Sequence, residues 1–316
     1  MSWAVVVSTM AVHPYTAFLA AAHAAGRARQ AEKLGIHAQV DVDFPAVMQR
    51  VRSIRDSFNQ GVGKRLEDAG VKIVFAEASF TGERIVTGGE VTVQAPIVVI
   101  NTGTSSLIPN IPGLAETPYL TNRNFFDLQT LPPRLLVIGG GYIGLELGQG
   151  LARLGSQTQI IVRGDRVLDR EESEVGKMAK AFERDSIGLH CNTEVKQVAY
   201  TDGVFRLTHN HGEVQGEALL VATGRKPNTQ ALNVGATKVE LDDRGYIKID
   251  DRFHTTCDGV YAIGDAAGQP AFTHVSKGRL SPLEGDFKWR GSHTQRSRAR
   301  LRCLHRTPSR TSRDDT

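Results

Sequence analysis

Residues 134–146 read RLLVIGGGYIGLE, and this stretch decides the fold of the chain. The apolar run Leu135–Ile138 predicts a buried strand, and the helical spacing of the apolar residues that follow predicts a helix. Between them the glycines keep the order G-x-G-x-x-G, which allows a tight turn, the approach of a pyrophosphate and close helix–strand packing. We therefore predict a dinucleotide site at the start of this helix. The predicted binding residues of the loop are Gly139, Gly140, Gly141, Tyr142, Ile143 and Gly144.

The end of the next predicted strand, Thr158–Val162, bears on the choice of dinucleotide. An acidic residue at the end of that strand is typical of NAD sites, where it binds the ribose, and a nearby arginine suits the 2′-phosphate of NADP. Here no carboxylate closes the strand, and Arg163 and Arg166 flank the turn. We expect NADP(H) rather than NAD(H), with Arg163 as a phosphate ligand. Two alternatives stay open: the arginines are solvated loop charges, or Asp165 reaches a ribose.

Length and composition are compatible with a globular protein. Its 316 residues are enough for two domains with sizeable cores, and 40% of them are hydrophobic. No apolar run reaches the ~18 residues of a membrane-spanning helix, and no basic segment leads the apolar start. The three scattered cysteines predict no disulfide framework, so we expect a cytoplasmic protein without a membrane partner. We predict no metal site.

The basic charge of the chain is concentrated at one end. Residues 277–316 hold nine Arg and two Lys against four acidic residues, whereas the whole chain carries a net charge of only +4. Apolar periodicity also stops there, which predicts a disordered tail. Guanidinium groups bind phosphate without sequence preference, but Trp289 gives little aromatic interleaving, so nucleic-acid binding is the less favoured interpretation.

Two predicted strands leave through the same Thr-Gly pair, at Ile100–Gly103 and at Val221–Gly224. We interpret these as the two crossings between a first domain and an inserted one. The predicted domains are 1–117, 118–228, 229–276 as the return to the first domain, and the tail 277–316. The first domain is expected to contain a helix over 16–34, a helix capped by Asp43, and strands at Val71–Ala76, Arg84–Val86, Val91–Gln94 and Ile97–Asn101.

Four segments in this order are similar to those of one family: INTGTSSLIPNIPGL (100–114), LLVIGGGYIGLELG (135–148), LLVATGRKPNT (219–229) and GVYAIGDAAGQPAFTHV (259–275). The chain resembles the pyridine nucleotide-disulfide oxidoreductases, the flavoproteins that include dihydrolipoamide dehydrogenase, glutathione reductase and mercuric reductase. The resemblance covers about residues 14–276. It implies an α/β fold of two interleaved Rossmann-type domains, one for FAD and one for NAD(P)H.

The resemblance also assigns roles to individual residues. It implies that Asp265 binds the ribityl chain of FAD, that Tyr142 covers the nicotinamide site, and that Glu146 lies one helical turn later as a second catalytic residue. A capping aspartate, a buried tyrosine and a first-turn carboxylate are the alternatives. The further residues assigned by the resemblance are Thr102, Gly103 and Gly264 for FAD and Gly224 for NAD(P)H.

The chain departs from the family pattern in three places. No G-x-G-x-x-G precedes residue 100, so the opening βαβ unit for the FAD pyrophosphate is expected to be absent. Alignment on Pro14 puts Val7 and Val12 at the positions of the redox cysteines, with Tyr15 and Thr16 in place of the lysine. The C-terminal dimerisation domain, and with it the homodimer interface, is also expected to be absent. These departures suggest a truncated or frame-shifted copy.

Two functions remain open at this point. The first is an FAD-dependent NAD(P)H oxidoreductase that lacks the dithiol and passes hydride to flavin and then to an unidentified acceptor such as oxygen or a quinone. The second is a catalytically inactive nucleotide-binding remnant of such an enzyme.

Overall fold

Two parallel sheets organise the part of the chain that the computed structural model describes, residues 3–7, 13–168, 182 and 184–268. The helices in this part are α1 (His13–Gln30), α2 (Phe44–Asp68) and α3 (Tyr142–Leu154). The strands are β1 (Trp3–Val7), β2 (Ala78–Gly82), β3 (Ile85–Gly88), β4 (Val91–Gln94), β5 (Ile97–Asn101), β6 (Thr104–Ser106), β7 (Arg134–Ile138), β8 (Gln157–Ile161), β9 (Gly188–His190), β10 (Val195–Thr201), β11 (Val204–His209), β12 (Gly212–Gly216), β13 (Ala218–Val221), β14 (Arg225–Pro227) and β15 (Val260–Ala262). Short 3-10 turns lie at Ala31–Leu34, Phe125–Asp127, Gln230–Leu232, Val234–Ala236 and Gly264–Ala267.

The first parallel sheet has the order β13-β7-β8-β9 and carries the glycine-rich turn. Strand β7 is buried on both faces, which explains its unbroken apolar run. Leu135 and Val137 pack under α3, and Leu136 and Ile138 pack against the antiparallel sheet β10-β11-β12. The strand–turn–helix prediction for 134–154 is therefore confirmed, and the turn rests on a rigid, fully buried strand.

The second parallel sheet has the order β1-β5-β15. Strand β5 forms at the predicted bounds, whereas β1 was not predicted; it pairs along its whole length, from Trp3 opposite Ile97 to Val7 opposite Asn101. A strand thus lies beside β5, yet no glycine follows it in the sequence before Gly26. The glycine-rich sequence that follows β7 is therefore not repeated after β1.

The helices of the first domain pack against the inserted one. Helix α2 begins where predicted, with the Asp43 carboxylate accepting from the Ala46 N–H at 3.0 Å. In α1 the Phe18 ring lies so close to Gly150 of α3 that a Cβ there would stand 2.3 Å from the ring. Phe18, Met48 and Leu151 share one buried cluster, so α1, α2 and α3 form a continuous core.

One predicted strand is wrong. Val71–Ala76 has no regular structure, and the next strand begins only at Ala78. Its side chains lie in solvent, with Phe75 96% exposed. A strand needs a paired neighbour, and in the described residues this segment pairs with no sheet. The predicted tail, residues 277–316, and Val12 lie outside the described residues.

Candidate functional site

The glycines of the 139–144 loop differ in their surroundings. Gly139 has φ 117°, and a Cβ on it would lie 2.3 Å from the Ala222 carbonyl oxygen. A Cβ on Gly144 would lie 2.4 Å from the Gly139 carbonyl oxygen. A Cβ on Gly141, by contrast, would meet no atom within 4 Å. The first and third glycines are therefore needed for packing, and the second faces open space.

The start of α3 offers an anion site. Gly141 is the N-cap, and no side chain caps the helix. The first helical bond runs from the Leu145 N–H to the Gly141 carbonyl at 3.0 Å, so the N–H groups before it point out of the helix end. An uncapped helix start with its positive dipole end suits a phosphate group. Together with the space at Gly141, it fits the pyrophosphate of a dinucleotide.

The turn after β8 places Arg163 beside this loop. A Cβ on Gly140 would lie 2.8 Å from the Val162 side chain, so loop and strand end are in close contact. Arg163 is exposed. The pKa of Glu194 is lowered, chiefly by the hydrogen bond from Lys196 and further by the charge of Arg163. The Arg163 guanidinium thus lies near one exposed carboxylate and open to solvent.

The two Thr-Gly exits meet in space. Strands β6 and β14 pair antiparallel, with Thr104 opposite Pro227. The Leu107 N–H donates to the Gly224 carbonyl at 2.9 Å, and the Asn228 N–H donates to the Gly103 carbonyl at 3.0 Å. The pairing brings the predicted NAD(P)H residue Gly224 and the predicted FAD residue Gly103 into one region at the domain crossing.

Asp265 lies at this crossing. It follows Gly264, which has φ 67°, and its Oδ2 accepts a hydrogen bond from the Thr104 hydroxyl at 2.9 Å. Arg225 Nη2 lies 3.7 Å from the same Oδ2. Asp265 lies inside the 3-10 turn Gly264–Ala267, and no side chain of the described residues caps that turn. The alternative role of Asp265, as a cap of the following helix, falls on residues beyond Gly268, outside the described part of the chain.

Glu146 and Tyr142 lie on one face of α3, one helical turn apart. Tyr142 is 46% exposed, so the predicted alternative of a buried tyrosine does not apply. Burial raises the pKa of Glu146. Burial raises the pKa of Tyr15 to about 12, and the charge of Glu146 contributes to this increase. Glu146 is thus an exposed carboxylate in the first half of α3, close enough to the start of α1 for its charge to act on Tyr15.

The fit of these residues to FAD differs between its ribityl chain and its diphosphate. The Thr102 hydroxyl is buried and has no hydrogen-bond partner among the described residues, and together with the Asp265 carboxylate it fits the hydroxyls of a ribityl chain. For the pyrophosphate, the described residues contain no second glycine loop of the 139–144 type. The residues therefore fit the ribityl half of FAD and leave its diphosphate without a comparable cradle in this part of the chain.

Thiol chemistry finds no support in the described residues. Cys191 and Cys257 are both free thiols. Burial, with the charge of Asp165, raises the pKa of Cys191, whereas a reactive thiol needs a lowered one. Cys257 is 1% exposed in the core of the other domain. The two cannot replace the redox pair expected at Val7 and Val12.

The described residues contain neither a candidate metal site nor a membrane-spanning helix. Within residues 3–7, 13–168, 182 and 184–268, no group of three or more His, Cys, Asp or Glu side chains is arranged to hold a metal ion. In the same part of the chain, no helix has the length and hydropathy needed to cross a bilayer.

Comparison with known proteins identifies the family. The pyridine nucleotide-disulfide oxidoreductase family model matches residues 6–279. Mercuric reductase of Acidithiobacillus ferrooxidans is 40% identical over 212 residues, which cover 65% of this chain and 39% of that protein. Dihydrolipoyl dehydrogenase of Haloferax volcanii is 32% identical over 279 residues, which cover 83% of this chain and 58% of that protein.

The fold is shared with a solved structure. The HOCl-induced flavoprotein disulfide reductase RclA from Escherichia coli superposes with a TM-score of 0.80 at 23% identity, covering 92% of this chain and 66% of that one. The predicted Rossmann-type α/β fold is thereby confirmed. This chain spans only about 39% of the mercuric reductase above. Its relatives are oxidoreductases, and the family uses flavin with a pyridine nucleotide. The chain belongs to the pyridine nucleotide-disulfide oxidoreductase family.

Proposed function

We propose that this chain binds NADPH at the 139–144 loop and supports hydride transfer to a bound flavin, without a dithiol step. The observation that carries the proposal is the open space at Gly141, at the uncapped start of α3, between two glycines that are tightly packed. Such a cradle suits a diphosphate and has no role in packing the helix.

The residues of the site divide the work of binding. The N–H groups at the start of α3 donate hydrogen bonds to the pyrophosphate, and Arg163 pairs with the 2′-phosphate. Tyr142 covers the nicotinamide end, where Glu146 lies one turn further along α3. Thr102 and Asp265 hold ribityl hydroxyls. When bound, FAD supplies the isoalloxazine ring that accepts hydride from the nicotinamide.

Under this proposal the electron acceptor is not a disulfide. Valine occupies both positions where the family has its redox cysteines, and Cys191 and Cys257 lie in separate cores. Without a thiol pair, no disulfide substrate can be reduced by exchange. Oxygen or a quinone is the acceptor that we propose. The cytoplasmic location stays a prediction.

A second candidate is nucleotide binding without turnover. The observation that favours it is the absence, among the described residues, of a second glycine loop for the diphosphate of FAD. Under this alternative NADPH binds at the 139–144 loop, and no flavin is held long enough to be reduced.

The proposal is tested by the visible absorption spectrum of the purified chain. The spectrum is recorded with and without added FAD, and again after NADPH is added. We expect a flavin band that survives gel filtration and is bleached by NADPH. Asp265→Ala should weaken FAD binding about tenfold, because a hydrogen-bonded charged group contributes about 1.5 to 3 kcal/mol. Asp258→Ala, an exposed aspartate before β15, is the matched control and should leave FAD binding unchanged. NADPH binding with no flavin uptake would favour the inactive alternative.

Preference for NADP(H) is tested at Arg163. Arg163→Ser removes the guanidinium that we place against the 2′-phosphate, so the Kd for NADPH should rise about tenfold. The Kd for NADH, measured by the same fluorescence titration, serves as the internal control and should not change. Arg163→Lys keeps the charge but lacks the planar guanidinium fork, so its Kd for NADPH should lie between those of the parent and Arg163→Ser. If Arg163→Ser weakened NADPH and NADH binding equally, a role of Arg163 at the 2′-phosphate would be contradicted.

A further inference from the structure

The Asp265 carboxylate is held by residues from both sides of the domain crossing. The Thr104 hydroxyl donates to its Oδ2 at 2.9 Å, and Thr104 is only 8% exposed. Thr104 belongs to β6, directly after the first Thr-Gly exit. The donor therefore comes from β6, whereas Asp265 lies in the 3-10 turn Gly264–Ala267 that follows β15.

Arg225 completes the arrangement from the second exit. Its Nε donates to the Thr104 hydroxyl, and its Nη2 donates to the Thr104 carbonyl at 2.9 Å. The same Nη2 lies 3.7 Å from Asp265 Oδ2. A hydroxyl has one proton, and the Arg225 N–H bonds to a lone pair of the oxygen, so the Thr104 proton is left for Asp265.

The backbone around these side chains is fixed as well. Antiparallel pairing of β6 with β14 sets Thr104 opposite Pro227. The Asn228 side chain donates to the Thr102 carbonyl at 2.8 Å and thus ties the second exit to the first. Rotation of the Asp265 carboxylate away from Thr104 would break a charge-assisted hydrogen bond.

We propose that Thr104 and Arg225 are positioning residues that orient the Asp265 carboxylate toward the ribityl hydroxyls of the flavin. This inference rests on the proposed function, since it concerns the same flavin site. The carboxylate's second oxygen, Oδ1, is left to accept from a ligand hydroxyl, while Oδ2 is held by Thr104. Binding is then strengthened because the acceptor is ordered before the ligand arrives.

The test is FAD affinity, measured by quenching of flavin fluorescence. Thr104→Val keeps the side-chain shape and removes the donor, and we expect the Kd for FAD to rise about tenfold. Thr104→Ser restores a hydroxyl and should return the Kd to within about threefold of the parent. Thr158→Val is the matched control: Thr158 is buried and its hydroxyl donates to the Gly148 carbonyl at 3.3 Å, far from Asp265.

A double-mutant cycle separates orientation from structural support. If Arg225 acts through Thr104, then Arg225→Gln should add little to the loss of FAD affinity in the Thr104→Val background. NADPH affinity of Thr104→Val should equal that of the parent. A Thr104→Val chain that takes up FAD as tightly as the parent would overturn this inference alone. A parent chain that takes up no FAD would overturn it together with the flavin part of the proposed function.

Discussion

Gly141→Asp is expected to fold at least as stably as the parent and to lose NADPH binding by about a hundredfold or more. Gly141 has φ −83° and ψ 174°, a region open to any residue, and a Cβ there meets no atom within 4 Å. Aspartate is a preferred N-cap, so its carboxylate should bond the N–H groups at the start of α3. Those groups are the ones that we assign to the pyrophosphate, and the new charge repels it.

The neutral variant Gly141→Asn separates the two causes of the loss. Asparagine caps the helix as well as aspartate and has the same size, but it carries no charge. We expect it to weaken NADPH binding by about tenfold, between the parent and the aspartate variant. Melting temperatures of all three chains should agree closely or rise in the variants. NADPH titration curves that superpose for parent and Gly141→Asp would show that the loop is not the phosphate site.

This experiment is clean because the two roles of the glycine motif fall on different residues. The contacts at Gly139 and Gly144 agree with the tight turn and the close helix–strand packing that the pattern predicts, whereas pyrophosphate binding at Gly141 stays a prediction. The strand–turn–helix order could be predicted because apolar spacing and glycine spacing are local signals, and the Asp43 cap of α2 is local too. Strand β5 also forms where its apolar run predicts it, although that run does not reveal its partner β1.

Features that depend on distant partners were not predicted. Val71–Ala76 has the composition of a strand and remains without one, since composition does not reveal whether a sheet edge is free. The opposite case is β1, which was not predicted although the sequence contains the short apolar run Val5–Val7. It forms a strand because it pairs with β5. Sequence reasoning found both Thr-Gly exits but missed that they pair, and so missed Thr104 and Arg225 around Asp265.

The second large effect is expected at the third glycine of the loop. Gly144→Ala should destabilise the chain by about 3 kcal/mol, at the upper end for overpacking of a buried site. The added Cβ would lie 2.4 Å from the Gly139 carbonyl oxygen and 3.2 Å from the Val137 side chain. The oxygen cannot easily move, because Gly139 is itself held by a hydrogen bond from its N–H to the Ile161 carbonyl at 2.9 Å.

The matched control is the same substitution in a helix without the contact. Gly61 lies inside α2, it is exposed, and a Cβ on it meets nothing within 4 Å. Gly61→Ala should therefore stabilise the chain by about 0.5 to 1 kcal/mol through helix propensity alone. Urea unfolding followed by circular dichroism measures both variants. If Gly61→Ala raises the free energy of unfolding and Gly144→Ala lowers it, the loss at Gly144 is due to close packing of α3 on the turn. If both variants raise it, α3 lies further from β7 than its contacts indicate, and a Cβ fits at the third glycine.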